Sequence, residues 1–137
     1  MPSIALGFRL AGATNILGVL LFSLALTNAR LTAHSPVVFS RFGLVCIILW
    51  GFAYLSVAVG HERVPYLVAV FAVEKLLYVA TWVNWIRRFS GQLPRMFEES
   101  PLTGIFYAVY GPLDLLFCVF FSVVAIRCLR ARAAATA

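Results

Sequence analysis

Charge is what this chain lacks. Asp, Glu, Lys and Arg make up 12% of its 137 residues, against 63% hydrophobic residues, where a soluble protein has about 25% charged and 45–50% apolar. So few charges cannot cover a water-facing surface, and a soluble core has no use for this much apolar side chain. A soluble globular domain is therefore excluded. Lysine is almost missing, with Lys75 standing alone. Cysteine is sparse as well: Cys46, Cys118 and Cys128 form no Cys-x-x-Cys pair and read as small buried hydrophobes or free thiols. His34 and His61 fall in loops on opposite sides of the expected bundle and cannot share a metal. No haem, flavin, nucleotide or metal motif is present, so neither cofactor nor metal is expected. The net charge of +6 sits on arginines that flank apolar runs, where it meets lipid headgroups and sets topology. It forms no basic face for nucleic acid.

Four apolar runs dominate instead. They cover residues 10–29, 42–60, 64–86 and 100–126 and are bounded by Arg9 and Arg30, Arg41 and His61, Arg63 and Arg87, and Glu99 and Arg127. A bilayer core needs about 20 helical residues, and continuous rather than alternating runs exclude a barrel. Prolines mark helix starts at Pro2, Pro36, Pro65 and Pro101. Ser35-Pro36 and Ser100-Pro101 read as an N-cap followed by proline at the first helical position. The chain is thus expected to be an all-α, polytopic membrane protein, one domain folded as a four-helix transmembrane bundle. Its helices are expected at roughly 3–29, 36–60, 65–86 and 101–127, with residues 87–100 as an interfacial loop or short amphipathic helix. The first run is longer than a signal-peptide core of about 7–15 residues and reads as a retained helix. Trp82 and Trp85 before Arg87 match an aromatic belt.

Arginines do not decide orientation, because Arg9, Arg63, Arg127, Arg130 and Arg132 on one side balance Arg30, Arg41, Arg87, Arg88 and Arg95 on the other. The amino terminus and the C-terminal arginine cluster favour cytoplasmic termini. Scarce lysine and an Arg/Ala-rich C-terminus point to a bacterial inner membrane.

The polar residues inside these runs are the candidate site. Glu74-Lys75 is the only charge within residues 64–86. Each ionised side chain at that depth costs about 2.5–3.5 kcal/mol on the insertion scale, so the pair should face protein or a wet cavity. At 1.5 Å per residue, Glu74 lies roughly 16 Å from Arg63 and Asp114 roughly 20 Å from Arg127, both near the midplane, with Asn15 roughly 9 Å from Arg9. Glu74, Tyr78, Thr81 and Trp85 share a helix face, and Tyr78 is also close to Lys75. In the last run Tyr107, Gly111, Asp114 and Cys118 share another face. Trp50 and Tyr54, spaced i and i+4, add possible lining. Glu74, Lys75 and Asp114 sum to −1 if all are ionised, so Lys75 is expected to pair with one acid while the other stays protonated or meets a cation. The same pair can equally serve only to set helix register. Gly111-Pro112 is expected to kink its helix and free a carbonyl near Asp114.

Three classes of function follow. The first is a binding or accessory bundle that holds a hydrophobic small molecule, or docks onto a larger membrane complex. The second is a small proton-coupled transporter acting as a homodimer. The third is an intramembrane acid–base enzyme such as an isomerase, using two carboxyls. Four spans with a membrane glutamate resemble the small multidrug resistance transporters, whose glutamate lies in the first helix, where this chain has Asn15. Val109-Tyr110-Gly111-Pro112 is similar to one turn of the last helix in the EXPERA group, and the layout is similar to that of DoxX-like proteins. These likenesses of architecture assign no family.

Overall fold

The computed structural model describes residues 2–136. Helices cover 87% of the described residues, and no strand occurs among them. Helices pair their backbone polar groups within their own segment, which is the condition a hydrocarbon environment imposes. In chain order they are α1 (Pro2–Ala13), a π-helical turn (Thr14–Gly18), α2 (Val19–Phe22), α3 (Ala29–His34), α4 (Arg41–Val57), α5 (Pro65–Phe89), α6 (Leu93–Glu99) and α7 (Pro101–Thr136). Three segments are long and apolar enough to cross a membrane: Ser3–Phe22, Pro65–Glu99 and Pro101–Thr136. The run expected as the second span is the shorter α4, of 17 residues.

Helix ends depart from the sequence expectation for identifiable reasons. The first helix stops at Phe22, not near residue 29. The Ala25 N–H bonds to the Leu20 carbonyl and the Leu24 N–H to the Leu21 carbonyl. This is the paired pattern of a Schellman end, with Leu24 at the left-handed position that glycine normally fills. Leu24, Ala25 and Leu26 all have positive φ, at 50°, 53° and 70°, a conformation costing roughly 1–2 kcal/mol for each non-glycine residue. Hydrogen bonds hold it: the Leu26 N–H donates to Ser23 Oγ (2.9 Å), and Asn28 Nδ2 donates to the Phe22 carbonyl (2.9 Å). Asn28 Oδ1 then caps α3 by accepting from the Leu31 N–H.

Ser35 does not start the next helix. It is the C-cap of α3, and α4 starts at Arg41 because Ser40 Oγ accepts from the Gly43 N–H at 3.0 Å. Pro65 and Pro101 are the first residues of α5 and α7, where a missing N–H costs nothing. Residues 87–100 complete α5 and form a 3-10 turn and α6. The last helix continues past residue 127 to Thr136, since its Ala- and Arg-rich end is a strong helix former. Pro112 sits inside α7 without ending it.

The chain divides into two compact units, Met1–Ala58 with Gly91–Ala108, and Val59–Ser90 with Val109–Ala137. In the first, α1 packs on α4 through glycines. A Cβ on Gly51 would lie 2.9 Å from the Gly12 carbonyl oxygen and 2.7 Å from Ile16 Cγ1. Close backbone approach of this kind replaces hydrophobic drive where the surroundings are themselves apolar. The same unit buries an aromatic group in which Phe39 meets Phe106 edge-on at 4.9 Å. Tyr107, fully buried, donates its hydroxyl to the Leu31 carbonyl at 2.8 Å. In the second unit α5 packs on α7 through Phe71 against Phe121, with ring centres 5.5 Å apart.

Candidate functional site

The second unit holds the lone lysine. Residue 75 lies in the middle of α5, an uninterrupted helix from Pro65, and residue 114 lies 39 positions on in α7. The helix register turns both toward the same contact: Lys75 Nζ donates to Asp114 Oδ1 at 2.7 Å. The ammonium end is nearly sealed, with 2% of the lysine side chain and 15% of the aspartate exposed. A charge-assisted bond this short between buried groups is strong.

Neighbouring packing fixes that geometry. Gly111 lies against Trp82, and a Cβ there would run into the indole ring. Glycine is therefore the residue that lets α7 approach α5 one turn before Asp114. Cys118, one turn beyond, donates its thiol to the Ala72 carbonyl at 3.4 Å. The Lys75 ammonium also stands 6.0 Å from the centre of the Tyr78 ring, at the outer limit of a cation–π contact. Tyr110, one helical turn before Asp114, is buried.

The residues singled out in the sequence fall in two places. Lys75, Asp114 and Tyr78 come together, with Gly111 completing the contact through Trp82. Glu74 is adjacent in α5 and 5% exposed. Asn15, Trp50 and Tyr54 belong to the first unit. Asn15 occupies the π-helical turn, a local widening often found at functional positions. It is 4% exposed and donates to the Ile47 carbonyl in α4 at 3.1 Å. That bond ties the first helix to α4. Tyr54 is fully buried, while Trp50 lines a shallow groove with Cys46 and Leu49.

One polar cluster escaped sequence reasoning. Asn28 Nδ2 donates to Thr103 Oγ1 at 3.1 Å, and Ser100 Oγ donates to the same oxygen at 2.9 Å. Arg30 Nη1 reaches the Glu99 carbonyl at 3.1 Å, and Arg95 Nε reaches Glu99 Oε1 at 2.5 Å. The available signal was Asn28 itself, a strong helix-capping residue placed where a continuous span was expected.

The chain matches no protein-family model, and no curated protein or solved structure is significantly similar to it. Chemically, the second-unit site joins one amine and one carboxyl in a short hydrogen bond. It can hold two helices in register, and its acid can exchange a proton if the pair opens. Among the described residues no group of His, Cys, Asp and Glu is arranged to hold a metal.

Proposed function

We propose that the protein is a multi-pass protein of a bacterial inner membrane, with four spans and cytoplasmic termini. It acts as a binding or accessory bundle that holds a hydrophobic small molecule or docks onto a larger membrane complex. Closure of the one lysine onto Asp114 at 2.7 Å carries this reading. The ion pair satisfies both partners inside the chain, so it fastens α5 to α7 while apolar outer faces remain for lipid and partners. Leu17, Phe42, Leu49, Leu77 and Leu116 are examples, each more than half exposed.

Native mass spectrometry of the protein released from nanodiscs tests it. The decisive variant is Lys75→Met with Asp114→Leu, which replaces the pair by apolar side chains. Retention of the same bound molecule or partner by this variant agrees with a fastening role. A homodimer that loses a small molecule in the double variant refutes it and selects a transport or enzyme role. One observation favours proton coupling as a second reading: Asp114 is the more exposed member of the pair, at 15% against 2%. That reading requires Asp114→Asn to abolish pH-dependent transport in vesicles while the protein stays folded.

A further inference from the structure

The segment between Phe22 and Ala29 is held against its own backbone preference. Three consecutive residues without glycine, Leu24, Ala25 and Leu26, have left-handed φ. Nothing in the local sequence demands this. Residues 19–34 contain neither proline nor glycine, and leucine and alanine prevail in 19–29, a composition that favours a continuing helix. What opposes the helix is a small set of side-chain bonds. Ser23 Oγ accepts from Leu26 N–H, and Asn28 bonds to the Phe22 carbonyl, the Leu31 N–H and Thr103 Oγ1. Beyond the turn, α3 is fastened to the beginning of α7 by Tyr107 to Leu31 and to α6 by Arg30 to Glu99.

We propose that residues 23–28 are a hinge with two states. In the closed state, the one described here, α3 lies over Thr103 and Tyr107. In the open state the first helix extends through residue 29, the left-handed turn disappears, and α3 lifts from the start of α7. Asn28 is the latch, because its side chain bonds to both ends of the turn and to α7. Opening exchanges strained backbone for helix and gives up the latch bonds together with the Tyr107–Leu31 and Arg30–Glu99 contacts, so weakening the latch shifts the balance toward the open state. It also widens the groove of about 300 Å³ now bounded by Leu26, Thr27, Asn28, Thr32 and Arg41. The hinge uses none of the residues of the Lys75–Asp114 contact.

Double electron–electron resonance on the full chain in nanodiscs tests this. Spin labels go on Leu17→Cys and Val37→Cys, at positions 65% and 86% exposed, with Cys46, Cys118 and Cys128 replaced by alanine. Asn28→Leu and, more conservatively, Thr103→Val should create or enlarge a second, longer distance, each lost bond raising its population about 2- to 10-fold. Adding Ala25→Gly to Thr103→Val relieves the left-handed strain at one of the three residues and should lower that population about tenfold. A single unchanged distance in both latch variants overturns the hinge. So does a glycine that raises the longer population. Thr103→Val changes one hydroxyl to a methyl and keeps the test meaningful if Asn28→Leu fails to fold.

Discussion

Replacing Asp114 by Asn should be far more damaging than replacing the whole pair. Lys75 is 2% exposed and its ammonium lies 2.7 Å from the carboxylate. At an effective dielectric of about 20, that separation is worth roughly 6 kcal/mol of gross attraction. Most of it offsets the penalty of removing both ions from water, and the net benefit over an apolar pair is near zero or negative. Removing one partner is different, because it takes away the opposite charge held at 2.7 Å from the other. Asp114→Asn and Lys75→Met are each expected to destabilise by about 3–5 kcal/mol. Lys75→Met with Asp114→Leu should recover most of that loss. The cycle is read as the change in unfolding free energy on SDS titration in mixed micelles, with helicity followed by circular dichroism. Asp114→Asn unfolding at the parental midpoint would refute the argument. So would a double variant less stable than both singles, since it would show that the pair stabilises outright.

Gly111→Leu should destabilise by about 1–3 kcal/mol by overpacking against Trp82, measured in the same titration. Trp82→Ala should relieve much of that loss when the two are combined. Tyr107→Phe leaves the Leu31 carbonyl buried without its donor and is expected to cost about 1–3 kcal/mol. In amide exchange, that loss should appear as faster exchange in α3. Asn15→Leu breaks a buried interhelical bond worth about 0.6–1.7 kcal/mol in a membrane setting, a loss again read by titration. Glu99→Gln, by contrast, should leave the unfolding midpoint unchanged, because its arginine partners are 59% and 81% exposed and such pairs are screened.

Much of the helical layout was legible in the residues alone. Apolar runs flanked by arginine imply helices, since an unbroken apolar run leaves backbone pairing no other route. Pro65 and Pro101 mark two starts because the first residues of a helix have no intrahelical acceptor for the N–H that proline lacks. Helix ends were less legible. Leu24 occupies a glycine-type left-handed position, and leucine carries no turn signal, so the break after Phe22 is invisible to pattern reading. Ser35 and Ser40 are equivalent as capping residues by type. Only the path of residues 35–40 determines which one accepts a helical N–H.

The sequence by itself determined that this chain is helical, that it has helices long and apolar enough to cross a membrane, and that charges at Glu74, Lys75 and Asp114 need internal compensation, because composition and periodicity act locally. That Lys75 reaches Asp114, 39 residues away in the chain, was decided only by tertiary structure. Glu74 is its neighbour in the chain, yet successive residues on a helix diverge by about 100°. Asp114 meets the ammonium because Gly111 admits the Trp82 ring and brings α7 close at the right rotation.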